Sequence, residues 1–448
     1  MYKLNDTIVA LATLPGKSAL NVIKISGGKV LKLYTSITKK SKHPKANFTH
    51  VCSLFDKNNI AFDQAMVIYL KGPKSFSGED MLEISTHGGV VIAYRLINEL
   101  LLLGARQAGP GEFSYRAFIN NKIDLVQAEA IAEIVEAGNN VDSYFSLNAL
   151  LGSFSKKIVS LRDALYNIII EGEHIIDFNE AEINLNAEIV KIKESLSAVL
   201  QNIKETTSKG YRISLTNTPS RIAIVGFPNA GKSSLFNIIV GYERSIITNI
   251  SGTTRDTIES NININGHTIT LVDTAGIRKS KNKIETLGIK RTYEEIKKAS
   301  IILVVDDLYP ENIKKSLQKD LKDTKSWILI LNKIDLNKPK KIKQGIYGIS
   351  CKNNEGINKL LTHLSTLVSK NINEIYSKHS FSINDRQFSL MLNIEKAIEK
   401  IIKTKETTDF VSFIQSLYSP LSLFDEIIKP ESRNKIINSI FEGFCVGK

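Results

Sequence analysis

No apolar run in this sequence approaches the ~20 residues that a membrane-spanning helix requires. The longest, such as residues 301–305 and 327–331, are far shorter, which excludes a helical membrane protein. An export signal is equally absent from the expectation, because Asp6, Pro15 and Lys17 interrupt any apolar core near the N-terminus. Cysteine is scarce. Cys52, Cys351 and Cys445 are an odd number at unrelated spacings, which argues against a disulfide framework or a four-ligand zinc site and points to a reducing, cytoplasmic setting. Arginine supplies only 12 of the 59 basic residues. The net charge of +13 therefore comes mostly from lysines scattered through an Ile- and Asn-rich chain, a pattern of solvated faces rather than a nucleic-acid signature in itself. What is present is ordinary globular composition, 42% hydrophobic and 23% charged over 448 residues. That length accommodates about three domains of roughly 150 residues.

The pattern changes three times along the chain. Residues 1–118 are mixed: short β-branched runs at 6–12, 21–25, 65–70 and 82–85, a Pro15-Gly16 turn, and a helical stretch at about 90–103 after His87-Gly88-Gly89. Beyond Gly109-Pro110-Gly111 the spacing is helical, with Leu125, Ala128, Ile131 or Ala132, and Val135 on one face and Phe154, Ile158, Leu161, Leu165 and Ile168 on another. This helical segment, 119–215, ends at a polar, proline-containing linker near 216–220. Residues 216–372 then alternate apolar β runs (221–227, 258–264, 268–273, 301–306, 327–331, 346–350) with helical stretches, as expected of a parallel-rich sheet covered by helices. Asn265-Gly266 is a hairpin turn signal between two of the strands. From 373 to 448 the spacing is helical again, through Phe388, Leu392, Ile394 and Ile398. The fold class expected is α/β plus α, a Rossmann-like unit inserted in a helical domain behind an N-terminal α+β domain. Insertion requires the flanks at 216 and 372 to lie close together.

Gly226-Phe227-Pro228-Asn229-Ala230-Gly231-Lys232-Ser233 follows an expected strand and opens an expected helix at Ser234. That is the setting of a phosphate loop: glycines let the backbone wrap an anion, N–H groups donate, Lys232 reaches the terminal phosphates and the Ser233 hydroxyl can ligate magnesium. Asp273-Thr274-Ala275-Gly276 ends a strand, where the aspartate can hold magnesium through water and the glycine N–H can meet the γ-phosphate. Thr253 and Thr254 lie between the helix and the second strand, where a threonine hydroxyl, Thr254, completes the metal shell. Asn332-Lys333-Ile334-Asp335 follows another strand, and the Asp335 carboxylate can accept from both the ring N–H and the amino group of guanine, a pair adenine lacks. Ser350-Cys351-Lys352 supplies a base-edge loop. Together these read as a GTP and Mg2+ site.

The wording of Pro228-Asn229-Ala230-Gly231, Gly252-Thr253-Thr254-Arg255-Asp256 and Asp273–Gly276 resembles the translation-linked GTPases that include Era and MnmE. Outside this segment the chain resembles the MnmE (TrmE) family throughout. The resemblance rests on Asp6-Thr7-Ile8-Val9-Ala10, Ser75-Phe76-Ser77-Gly78-Glu79-Asp80, His87-Gly88-Gly89, Gly111-Glu112-Phe113-Ser114 with Arg116-Ala117-Phe118, Lys122 with Asp124-Leu125, Gln127-Ala128-Glu129-Ala130, and Phe444-Cys445-Val446-Gly447-Lys448. The family implies an N-terminal tetrahydrofolate-binding, dimerising domain, a helical domain of two segments, and an inserted GTPase domain. It implies a homodimer that works with the flavoprotein MnmG on tRNA, adding a carboxymethylaminomethyl-type group to carbon five of the wobble uridine, with a methylene or formyl tetrahydrofolate derivative as carbon source.

Residue by residue, the resemblance extends the nucleotide site to Thr248, Asn249, Ile250, Ser251 and Gly252. Ile277 stands where Ras-like enzymes carry a water-orienting glutamine, and the family uses K+ where others use an arginine finger. Asn229, Thr248, Ile250 and Thr253 match the K+ positions, although Asn229 also suits a turn. Glu285 matches the water-orienting glutamate, and also suits the first turn of a helix. Lys24, Glu83, Lys122 and Lys448 match folate-contacting positions. Cys445 matches a terminal cysteine beside the folate pocket, where it acts either as a nucleophile or as packing. The chain departs from the family pattern with Lys24 for arginine, Gln387 for histidine, Cys351 for alanine and Lys429-Pro430 in a stretch that usually carries glycine. An Era-like, RNA-binding GTPase is the alternative class. It requires a Gly-x-x-Gly loop after the GTPase domain, whereas residues 373–448 hold only Gly443 and Gly447. A pure conformational switch leaves the first 118 residues without a purpose.

Overall fold

The computed structural model describes residues 4–177, 184–213, 221–242, 258–274, 285–318, 325–337, 339, 341–404, 409–430, 437 and 440–447. The chain divides into two compact units, one of residues 1–132, 149–203 and 389–448, the other of 133–148 and 204–388.

The first unit opens with β1 (Ile8–Leu11), β2 (Leu20–Ser26), α1 (Val30–Thr38), β3 (Thr49–Phe55), β4 (Ala61–Leu70), β5 (Met81–His87), α2 (Val90–Leu102) and β6 (Arg106–Gln107). The strands form one sheet in the order β3-β4-β5-β2-β1-β6, antiparallel except where β6 runs parallel to β1. Alternation explains the burial. Ile23, Ile25, Val67, Leu82 and Ile84 are fully buried on one face, with Leu33 and Ile37 of α1 and Leu96 and Leu100 of α2 in the same cluster. Helix α1 and strand β3 were not legible as elements: β3 alternates, but His50 and Ser53 break its apolar character.

Helices α3 (Glu112–Ile119) and α4 (Leu125–Glu136) follow, then α5 (Asn140–Leu150), α6 (Ser153–Asp177) and α7 (Leu185–Lys209). The expected stripe of α6 is buried at each position from Phe154 to Ile168. On α4, Leu125, Ala128 and Ile131 are buried while Val135 is half exposed, so the stripe ends a turn earlier than its spacing implies.

In the second unit β7 (Gly210–Arg212) leads to β8 (Arg221–Val225), α8 (Lys232–Tyr242), β9 (Ile258–Ile264), β10 (His267–Asp273), α9 (Glu285–Lys298), β11 (Ile301–Asp306), α10 (Pro310–Gln318), β12 (Ser326–Leu331), α11 (Ile334–Asn337), β13 (Ile346–Gly348), α12 (Ile357–Lys378) and β14 (Phe381–Ile383). The sheet order is β13-β12-β11-β8-β10-β9, parallel except for β9. Asn265 and Gly266, at φ +52° and +80°, make the β9–β10 turn. Short β7 and β14 pair in parallel, Tyr211 opposite Ser382, so the chain enters and leaves this α/β segment side by side. The expected linker at 216–220 lies outside the described residues.

The remaining helices are α13 (Asp385–Ile402), α14 (Phe410–Ser416) and α15 (Tyr418–Ile428). The buried column of α13 is Met391, Ile394, Ile398 and Ile401, whereas Phe388 and Leu392 are half-buried. The buried column is therefore one residue out of phase with the expected spacing at its start: Gln387, 2% exposed, takes the inward place expected of Phe388, and its amide is held by Asn384.

Candidate functional site

The parallel strands β8, β10, β11 and β12 all end at one edge of the second sheet. The described residues at and beyond these ends line a cavity of about 1300 Å³, among them Gly226, Asn229, Gly231, Lys232, Ser233, Ser234, Thr274, Asn332, Lys333, Asp335, Cys351 and Lys352.

The loop after β8 is fixed by two glycines. At Gly226 (φ +155°) a Cβ would come 2.0 Å from Val305 O, and at Gly231 (φ +92°) 2.0 Å from Asn332 Nδ2. Neither place accepts a side chain. Asn229 sits between them in the left-handed region at φ +64°. Lys232 is buried, and its Nζ donates to Phe227 O at 2.7 Å, which keeps the ammonium within the curl of the loop. Ala230 is buried beneath the loop rather than lining the cavity.

Ser233 Oγ lies 2.6 Å from Asp273 Oδ2, and Asp273 is fully buried at the end of β10. A hydroxyl and a carboxylate brought together in this way are hard oxygen donors of the kind that magnesium prefers, so these residues fit the metal. Thr274 turns its hydroxyl inward to Ile224 O at 2.8 Å, which anchors the start of the following loop.

Asn332 joins the two ends of the site. Its Nδ2 donates to Ala230 O at 2.8 Å, and its Oδ1 accepts from Cys351 N at 3.3 Å, so one buried amide ties the phosphate loop to the base loop. Ser350 is wholly buried, its backbone paired with Glu355 and its Oγ accepting from Asn353 N. Cys351 and Lys352 alone of that trio line the cavity. Burial pushes the Cys351 thiol up to about 11, with the Asp335 charge adding to the effect.

Thr248, Asn249, Ile250, Ser251, Gly252, Thr253, Thr254, Ala275 and Gly276 lie outside the described residues, as does Lys448. Glu285 is the first residue of α9, and its side chain is outside the described set.

In the first unit Lys24 on β2 and Glu83 on β5 are direct cross-strand partners, both half-buried on the sheet face opposite α1 and α2. Lys122 is exposed in the turn between α3 and α4, beside the Gly78 backbone. Cys445 is exposed, but its backbone is clamped: Gly111 N donates to Cys445 O at 3.3 Å, Val446 bridges Pro110, and a Cβ on Gly447 would lie 3.0 Å from Leu11 O. The tail thus crosses the end of β1, the neighbour of the strand that carries Lys24.

Asp6, Glu79, Glu112 and Arg116 lie in motifs of the first unit that carry no assigned role. They form one network. Arg116, fully buried, donates to Asp6 Oδ1 at 2.7 Å, Glu79 Oε2 at 2.9 Å and Glu112 Oε1 at 3.1 Å, while Arg106 bridges Asp6 and Glu112 from the other side. Burial alone would raise the Asp6 carboxyl, but the Arg106 and Arg116 guanidiniums hold it below the usual carboxylate range. Glu79 also accepts from Ser26 Oγ at 2.7 Å, which links the network to the strand of Lys24. Three scattered motifs meet here, and only their three-dimensional convergence reveals why charged residues recur in them.

Comparison with known proteins agrees with this geometry. The family model for the GTP-binding protein TrmE N-terminus matches residues 7–122, and that for the MnmE helical domain matches residues 125–445. Similar full-length proteins include the tRNA modification GTPase MnmE of Aliarcobacter butzleri, 35% identical with 99% of each chain covered. That of Francisella tularensis subsp. holarctica is 36% identical with 99% of each covered, and that of Aquifex aeolicus 33% identical over 99% of this chain and 100% of its own. Two adjoining family models and end-to-end relatives above 30% identity lead to one conclusion: the chain belongs to the MnmE (TrmE) family.

Proposed function

We propose that this protein is a GTP hydrolase of tRNA modification, whose second unit binds GTP with Mg2+ in the cavity at the strand ends. The observation that carries the reading is the Asn332 amide, which locks the phosphate loop to the base loop around one cavity lined by both Lys232 and Asp335. Lys232 neutralises terminal phosphate oxygens, Ser233 and Asp273 hold the metal directly and through water, and Asp335 selects guanine by accepting two donors from its edge. Thr254 completes the metal shell and the backbone of Ala275 and Gly276 meets the γ-phosphate.

The finer assignments extend this reading. Residues 216–372 form the GTPase domain, 119–215 and 373–448 the helical domain, and 1–118 the tetrahydrofolate-binding and dimerising domain. Asn229, Thr248, Ile250 and Thr253 hold K+, which supplies the positive charge that an arginine finger gives elsewhere. Glu285 orients the attacking water. Lys24, Glu83, Lys122 and Lys448 bind the folate derivative, the lysines through its acidic tail and Glu83 through its amino-pteridine edge; the cross-strand placement of Lys24 beside Glu83 supports this pairing. Cys445 acts beside it on the one-carbon unit or the uridine. The homodimer works with a MnmG-like flavoprotein on the wobble uridine of tRNA, in the cytoplasm.

Hydrolysis measured in potassium and in sodium chloride at matched ionic strength tests the ion assignment, with faster turnover expected in potassium. Equal rates would remove K+ from the reading. Nucleoside analysis of tRNA from a strain lacking the protein tests the rest, and normal wobble-uridine modification there would overturn it.

A further inference from the structure

Lys333 lines the cavity beside Asp335, yet its charge is directed elsewhere. Its Nζ lies 2.9 Å from Asp307 Oδ2, just beyond the end of β11. The backbone at Lys333 is left-handed, φ +59°, a conformation that costs a lysine energy and persists only when its surroundings fix it. Those surroundings are visible. Leu336 N and Asn337 N both donate to Lys333 O, and Asn337 Nδ2 donates to Asp307 O at 2.8 Å, so α11 and the segment after β11 are stitched together around this ion pair.

An untethered lysine at this position has a long flexible stem that could carry its ammonium across the cavity. Tethered to Asp307, the ammonium is taken up by its partner, which leaves the apolar stem as the part of Lys333 available to the cavity it lines. We propose that Asp307 is a positioning residue for the guanine base: it holds the Lys333 ammonium outside the base site so that the lysine stem packs on the face of the purine, while Asp335 reads its edge. The proposal rests on the GTP reading above and divides the labour within it. Contact with a purine face is indifferent to the exocyclic groups, whereas contact with the edge is not.

The two side chains are each about one-third exposed, 32% for Lys333 and 35% for Asp307, so the tether is a modest one. Calorimetric titration of the full-length protein with GDP, IDP and XDP reads it. Asp307→Asn should weaken all three by the same factor, about three- to tenfold, and leave their order unchanged. Asp307→Glu should restore most of the loss. Lys333→Met keeps a stem and removes the charge; in that background Asp307→Asn should have no further effect. If the wild-type protein binds no guanine nucleotide, the GTP reading itself fails. If it binds GDP but Asp307→Asn binds as tightly or more tightly, changes the order of the three nucleotides, or loses as much affinity in the Lys333→Met background, the positioning role is overturned. Thermal unfolding without nucleotide checks that Asp307→Asn is folded. Should it not be, Asp307→Glu and Lys333→Met must both stay within about threefold of wild type, and a larger loss in either overturns the proposal.

Discussion

The two regions that carry family motifs are built in opposite ways. In the second unit every described site residue stands at the end of a parallel strand or in the loop or helix start that follows one, so the topology alone gathers Lys232, Asp273, Asn332 and Asp335 at one edge. In the first unit Lys24 and Glu83 stand mid-strand in an antiparallel sheet, and the tail with Cys445 arrives from the far end of the sequence. A loop site is written as contiguous words; a strand-face site is written in register, one residue at a time. The lesson is physical: contiguous backbone must wrap a phosphate, whereas a sheet face needs only the alternation of side chains.

The largest effect is expected at the nucleotide. Lys232→Ala should lower GTP turnover at least about a hundredfold, because among the described residues Lys232 alone has its ammonium held inside the phosphate loop, by Phe227 O. Turnover within a few-fold of wild type in a phosphate-release assay would place the chemistry elsewhere. Asp335→Asn should weaken GTP about a hundredfold while gaining xanthosine triphosphate, since one acceptor becomes a donor. Retained GTP preference in competition would count against the edge contact.

A smaller effect sharpens the other side. If Glu83 binds the pteridine edge as proposed, Glu83→Gln should weaken binding of a formyl-tetrahydrofolate about tenfold by removing its charge, with GTP turnover unchanged. Loss of both activities together would mean that Glu83 holds the sheet rather than a ligand.

The legibility of the molecule follows the same divide. Strands β8, β9, β10 and β12 were readable because each apolar run abuts a motif or turn signal that fixes its end, whereas β11 was readable from its apolar, β-branched run alone, residues 301–306 coinciding with the strand. Cross-strand pairing of Lys24 with Glu83 was not readable, since nothing local sets a register between strands separated by some sixty residues. The Arg116 network was invisible for a related reason. A fully buried arginine looks like a surface arginine in sequence until its carboxylates are brought around it. Asp307, directly after the aspartate that ends β11, reads as an ordinary strand end, and no signal in the sequence points it to Lys333.

The smallest expected effect separates the two accessible cysteines. With its thiol pushed up to about 11 by burial, Cys351 is thiolate in only about one molecule in a thousand at pH 8. Its alkylation should therefore be slow at pH 8 and accelerate about tenfold per unit as pH rises toward 11, while exposed Cys445 reacts first. Peptide mapping after iodoacetamide treatment reads the order, and earlier labelling of Cys351 would show that the base loop is more open than described.

On the proposed function, a nucleotide engine in the second unit and a strand-face site in the first serve one reaction. The direct test is nucleoside mass spectrometry of tRNA from a null strain carrying either Lys232→Ala or Glu83→Gln, with GTP turnover measured on the same purified proteins. Wobble-uridine modification should fall in both strains, while turnover falls only in Lys232→Ala. Full modification in the Lys232→Ala strain would contradict the claim.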